Sequence, residues 1–166
     1  MMLWSPKHCE LLLRRIAGGD NPDDRHSTSG YCVMIKGSLI DWWSRNTYVL
    51  TLSSFAAELV ALYGATAELA WIRNLLLDFG AEPGTIPVHV DNGTTIEQVN
   101  EHVITKRTRH IAIKFYSTTE YVHGKIIELV KVASDDNVAD VFTKNLAARL
   151  FQNHRVRFLT QGKKHN

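Results

Sequence analysis

Strand-like runs come first in this chain, and only afterwards do they alternate with helical ones. Tyr31 to Lys36 sets Val33 and Ile35 on one face. Leu39 to Ser44 sets Ile40 and Trp42 on one face and Leu39, Asp41 and Trp43 on the other. Such alternation marks strands, and Gly37-Ser38 between the two runs predicts a β-hairpin. Tyr48 to Leu52 reads as a third short strand. Ser53 or Ser54 is placed to cap a long helical region that ends at Gly80, and Gly64 followed by Thr66 predicts two consecutive helices there. Pro83 and Pro87 bracket a loop into a short strand, Val88 to Val90. Asp91-Asn92-Gly93 turns the chain into a helix over Thr94 to Val99. A further helix runs from the basic stretch at Lys106 to about His123, stopped by Gly124, and Ile126 to Val132 is the last strand. Asp135-Asp136-Asn137 caps a short helix through Phe142, Leu146 to Thr160 is helical, and residues 161–166 are expected to be disordered. Residues 1–19 read as a helix, with three leucines and two arginines between Cys9 and Ile16 and a stop at Gly18-Gly19. A strand meander followed by alternating strands and helices predicts an α/β fold, a mixed sheet flanked by helices.

With 166 residues, 45% of them hydrophobic, the chain fits one domain that can bury a core without staples. Two cysteines, Cys9 and Cys32, exclude a disulfide framework and a four-cysteine zinc site. His102 and His110 have no zinc-ligand spacing either. The longest oily stretch, Leu69 to Leu77, is broken by Arg73 and Asn74, too short to span a membrane. Pro6, Lys7, His8 and Glu10 follow the first residues where a secretory signal would be apolar. The expected location is therefore the cytoplasm or nucleus. A net charge of +2 neither favours nor disfavours a polyanionic partner, so only local clustering can speak to one.

Three acids stand in apolar company. Glu58 interrupts an oily helical face between Phe55 and Leu62. Asp91 closes the strand Val88-His89-Val90, and Asp140 lies within Val138-Ala139-Asp140-Val141-Phe142. A buried carboxylate is costly unless paired or bound to metal. Taken singly, each reads first as a surface carboxylate on an amphipathic element. Converging acids would suit a hard divalent cation. Lys106, Arg107, Arg109 and Lys114 cluster with His102 and His110, a pattern that fits either phosphate contact or a solvated helix start. Trp42, Trp43 and Trp71 are expected in the core.

Ordered blocks of sequence resemble those of one known family. Asp23-Asp24-Arg25-His26-Ser27-Thr28-Ser29-Gly30-Tyr31 resembles the family's D-R-R-S-T-S-G-Y segment, and Ile40-Asp41-Trp42-Trp43-Ser44-Arg45 its I-S-W-x-S-K. Leu52-Ser53-Ser54-Phe55-Ala56-Ala57-Glu58-Leu59 is similar to L-S-S-T-E-A-E-Y, and Ala67 to Leu76 to x-E-x-x-W-L-R-x-L-L. Val90-Asp91-Asn92 matches C-D-N, and Arg107-Thr108-Arg109-His110-Ile111 matches R-T-K-H-I. Asp136 to Lys144 matches D-N-x-A-D-I-F-T-K.

In this order the blocks resemble the ribonuclease H domain of copia-type retrotransposon Pol polyproteins, and the resemblance implies a ribonuclease H-like fold over residues 20–160. It implies two-metal hydrolysis of the RNA strand of an RNA–DNA hybrid, with Mg²⁺ or Mn²⁺ as cofactor. Glu58, Asp91 and Asp140 are then three of four catalytic, metal-holding acids. Lys106, Arg107, Arg109, His110 and Lys114 are the nucleic-acid contacts, and the reverse transcriptase region of the same polyprotein is an ancestral partner. The family's S-D-A-D-W-A-G first strand has no counterpart; Arg15 and Ala17 stand where its aspartates belong. Residues 6–18 instead resemble a shortened H-W…L-R-Y-L-x-G helix from the end of the reverse transcriptase region. Residues 1–19 are accordingly expected to be a remnant of that connection helix, and the fold to lack its first strand. The function implied is an impaired ribonuclease H-like domain; the alternative is a non-catalytic nucleic-acid-binding or vestigial remnant.

Overall fold

The computed structural model describes residues 9–15, 27–47, 54–102 and 112–158. Strands β1 (Cys9–Arg15), β2 (Ser27–Ile35), β3 (Ser38–Thr47), β4 (Ile86–Val90) and β5 (Ile127–Lys131) form one sheet in the order β3-β2-β1-β4-β5. The first three strands pair antiparallel, and β1, β4 and β5 run parallel. Helices α1 (Ser54–Asp78), α2 (Gly93–Asn100), α3 (Ala112–His123) and α4 (Ala148–Phe158) complete the fold, with 3-10 turns at Ser134–Asp136 and Val138–Phe142.

The segment expected to be a remnant helix is a strand at the centre of the sheet. Cys9 to Arg15 pairs with β2 from Cys9 against Ile35 to Arg15 against Ser29, and with β4 at Leu11 against Val88 and Leu12 against His89. No gap is left where the first strand belongs. The reason lies in the residues: Leu11-Leu12-Leu13 is an apolar run without period, which a strand covered on both faces accepts as readily as a helix does. A central strand also satisfies the backbone groups of both its neighbours, which a helix here could not.

The hairpin forms as expected, and its turn falls on Lys36-Gly37. Both residues take positive φ, 52° and 73°, as a two-residue turn between twisted strands requires. The partner strand runs on through Thr47, beyond the expected Ser44, and Tyr48 to Leu52 begins outside it; residues 48–53 are not among those described. The two helices expected around Gly64 are one rod of 25 residues. A mid-helix glycine costs only about 1 kcal/mol, and the buried stripe Leu59, Leu62, Ala65, Leu69 and Ile72 outweighs it.

That stripe packs on one face of the sheet with Val33, Ile86, Val88, Val90 and Ile127, and with Val99 of α2 and Phe115 of α3. The opposite face buries Cys32 and Met34 against Val138 and Ala139, with Phe142 and Phe158 closing over them. The tryptophans expected in the core are at the surface, with Trp42 57%, Trp43 37% and Trp71 59% exposed. Trp43 stacks on Tyr31 at 5.9 Å and Trp42 on Phe142 at 5.4 Å, so each covers an aromatic neighbour with one face. The segment Asp135 to Phe142 forms 3-10 turns rather than an α-helix, with the Asn137 side chain accepting from the Ala139 amide at 3.2 Å. No helix among the described residues is long and apolar enough to cross a membrane.

Candidate functional site

Parallel strands deliver their C-terminal ends to one edge of the sheet, the usual place for a site in such folds. Strand β4 ends at Val90, and Asp91 follows it directly. Asn92 then caps α2: its side-chain oxygen accepts from the Thr94 amide at 3.0 Å. The same side chain donates from Nδ2 to Glu58 Oε2 at 2.6 Å. One residue therefore opens α2 and ties it to the second turn of α1. Ser134 donates to Asp91 Oδ2 at 3.3 Å and joins the strand end to the segment that leads to Asp140.

Asp140 is fully buried, and Lys144 places its ammonium 2.5 Å from Oδ2. The 3-10 turn that carries Asp140 lies flat on β2 because Gly30 has no side chain. A Cβ there would stand 2.7 Å from Thr143 Cγ2, 3.0 Å from the Trp43 carbonyl oxygen and 3.2 Å from Phe142 Cβ. Ser44 fixes the same turn by donating to the Phe142 carbonyl at 2.5 Å. The three acids picked out in the sequence thus come from α1, from the end of β4 and from the late 3-10 turn. Hydrogen bonds link the first two through Asn92, and Ser134 links the second toward the third.

The chain's relatives fit this layout. No protein-family model matches the sequence. The Pol polyprotein of transposon RE2 from Arabidopsis thaliana is 34% identical over 133 residues, 79% of this chain and 9% of that protein. The Pol polyprotein of transposon TNT 1-94 from Nicotiana tabacum is 26% identical over 130 residues, 78% of this chain and 10% of that protein. The chain therefore spans about a tenth of the length of the curated relatives it matches. LC11-RNase H1, isolated from compost, superposes with a TM-score of 0.57 at 17% identity, covering 81% of this chain and 92% of that one. Its complex with an RNA/DNA hybrid gives 0.54 at 14% identity, covering 81% and 94%.

This chain is a ribonuclease H-like domain of copia-type Pol ancestry.

In this ribonuclease H-like domain the first strand is present but brings no acid to the site. Continuing the β1–β4 register two residues past Leu12 and His89 sets Arg14 level with Asp91. The strand's one acid, Glu10, pairs in register with Met34, toward the far end. A second cation comes from β5: Lys131 pairs in register with Val90, and its ammonium would be 2.9 Å from a Cβ added at Gly93, at the start of α2.

The acids as placed do not fit a divalent ion. Among the described residues, no three His, Cys, Asp or Glu side chains gather closely enough to hold one. The Glu58 carboxylate is engaged by Asn92 and that of Asp140 by Lys144.

Of the basic residues read as phosphate contacts, Lys106, Arg107, Arg109 and His110 lie outside the described residues. Lys114 sits on α3 with its ammonium 5.9 Å from the centre of the Tyr63 ring, on α1. The ring of His102 lies 4.1 Å from that of His123. Sequence reading did not single out Asn92, Lys131, Ser134 or Lys144 as site residues. Two of them had a signal: Asn92 sits where an N-cap belongs, and Lys144 is four residues after Asp140.

One further side chain in this region gives the domain a pH response. His154 of α4 is only 3% exposed. Burial holds its pKa below the ordinary 6.5, with Arg157 and Lys144 acting in the same sense and Asp140 and Asp136 opposing. The unfolded chain takes up a proton near pH 6.5 that the folded chain refuses. Stability from this group is therefore whole above that pH and falls as pH drops below it. Thermal melts between pH 5 and 7, compared with His154→Gln, check this: the wild type loses more stability toward low pH than the variant does.

Proposed function

We propose that this domain retains the hybrid-binding role of its lineage and has lost unaided cleavage of the RNA strand. One observation carries the reading: the strand in the first position brings Arg14, not an acid, level with Asp91. Binding is assigned to the basic cluster, where Lys106, Arg107, Arg109, His110 and Lys114 follow one another closely in sequence and would contact phosphates without regard to base. The lineage supports this partner, and a structural neighbour was solved with an RNA/DNA hybrid. Glu58, Asp91 and Asp140 are the residues that would have served catalysis in the ancestor, with Mg²⁺ or Mn²⁺. The reverse transcriptase region of a parent polyprotein is the proposed protein partner, since the relatives that match are whole polyproteins. Residues 1–19 are proposed to descend from the connection to that region.

The test is one set of assays on an end-labelled RNA–DNA hybrid. Fluorescence anisotropy is expected to show salt-sensitive binding that weakens about tenfold or more in Arg107→Ala/Arg109→Ala, with a shallower salt dependence. The wild type is expected to leave the hybrid intact in Mg²⁺ and in Mn²⁺. Cleavage by the wild type that disappears in Asp91→Asn would show an active nuclease. Absence of binding, or binding indifferent to salt, would remove the hybrid-binding role.

A further inference from the structure

We infer that His102 and His123 form a two-imidazole site for a transition-metal ion of the copper or zinc class, which on binding ties the end of α2 to the end of α3. The two rings lie 4.1 Å apart, centre to centre, at an interplanar angle of 68°. Neither residue belongs to the sequence blocks that carry the family resemblance, and the site draws on none of the three acids Glu58, Asp91 and Asp140.

Both imidazoles are held by the fold. His102 directly follows Glu101, the C-cap of α2, and takes φ 57°, a left-handed conformation that histidine adopts more readily than most residues. Its ring meets the edge of the fully buried Phe115 ring at 6.5 Å, which gives it a fixed wall on one side. His123 is the last residue of α3. The chain beyond it is closed by amides that donate from Gly124 to the Glu120 carbonyl, from Lys125 to Val122 and from Ile126 to Tyr121. Both residues are exposed, so an ion can reach them. Each stands at the carbonyl end of a helix, where the helix dipole favours a cation. Imidazole nitrogen suits copper, nickel and zinc, whereas magnesium prefers oxygen. An ion about 2 Å from one nitrogen of each ring sets the ring centres about 4.5–5 Å apart. The observed 4.1 Å falls short of that by an amount that small rotations of two exposed side chains supply. Rings stacked face to face would aim their in-plane lone pairs along parallel lines; at 68° the lone pairs can meet at one point. Among the described residues no third His, Cys, Asp or Glu joins the pair, so water completes the coordination.

Titration of the full chain with Cu²⁺ and with Zn²⁺, in a non-chelating buffer and without nucleic acid, tests this. At a metal concentration about a hundredfold above Kd the wild type is expected to melt about 5–10 °C higher than in chelator. Cu²⁺ is expected to saturate at a lower concentration than Zn²⁺. His102→Asn, which keeps a residue tolerant of positive φ, and His123→Gln are each expected to melt like wild type in chelator and to bind about tenfold more weakly or worse. The double variant is expected to lose no more than either single one, because one ion needs both rings. In the wild type, substoichiometric Cu²⁺ is expected to broaden the imidazole resonances of His102 and His123 first and together, a readout that needs no variant to fold. A wild type that neither melts higher nor shows this broadening overturns the inference. So does a metal-induced rise that survives in either single variant, a pair of losses that add in the double variant, or broadening that reaches only one of the two rings.

Discussion

Gly30→Val is expected to lower the melting temperature by roughly 10 °C, the equivalent of about 3 kcal/mol. The strand β2 and the 3-10 turn carrying Asp140 touch at this point with nothing between them. A first side-chain carbon would come within 2.7 Å of Thr143 Cγ2 and 3.0 Å of the Trp43 carbonyl oxygen, and valine adds two more methyl groups. Neither neighbour can yield freely. The Trp43 carbonyl belongs to β3, whose ladder with β2 pairs Gly30 against Ser44. Thr143 is held by its backbone amide, which donates to the Asp140 carbonyl at 3.1 Å, and the turn before it is tied to Ser44. The strain therefore moves the Asp140 turn off the sheet. Gly30→Ala is expected to cost about half as much. Thermal melts of the two variants decide the matter, and a valine variant that melts with wild type would show that the turn does not press on β2.

Phe115→Ala is expected to cost about 3–5 kcal/mol, enough to leave much of the protein unfolded at physiological temperature. Phe115 is a fully buried aromatic side chain of α3 and belongs to the same core as Leu62, Val99 and Ile127. His102 packs on its ring edge at a centroid distance of 6.5 Å. Truncation leaves a cavity that α1, α2 and the sheet cannot all close, since each is fixed by other contacts. Urea unfolding followed by circular dichroism measures the effect, and a loss below about 1 kcal/mol would contradict this placement. Phe115 lies in the core on one face of the sheet, whereas Gly30 meets the turn on the other. The double variant should accordingly show losses that add within about 0.5 kcal/mol.

Local pattern was enough for much of the fold. The alternation of Val33 and Ile35, and of Ile40 and Trp42, marked the hairpin because a strand's two faces repeat every second residue. The turn at Asp91-Asn92-Gly93 into α2, the stop before Gly124 and the strand Ile127–Lys131 were legible because each is a short-range event with its own residue chemistry. Glu58, Asp91 and Asp140 stood out as acids in apolar surroundings, and two of the three are buried: Glu58 is 8% exposed and Asp140 fully covered.

What only tertiary structure decided were features whose local signal was silent or ambiguous. Leu11-Leu12-Leu13 has no period, so its conformation was settled by an opening between β2 and β4 that only a strand could fill. Gly64 signalled a break, and the helix ran through it because the stripe on the sheet repaid a small local cost. The tryptophans carried no information about their depth, which depended on whether a layer lay over β3 and over the outer side of α1. The pairing of Lys144 with Asp140 takes place at a buried carboxylate, and the level of Arg14 along the sheet follows from strand register. The sequence by itself determined which charges this domain owns; the register of the sheet and the packing of its edge decided which of them meet, because charges interact through distance and burial and not through order along the chain.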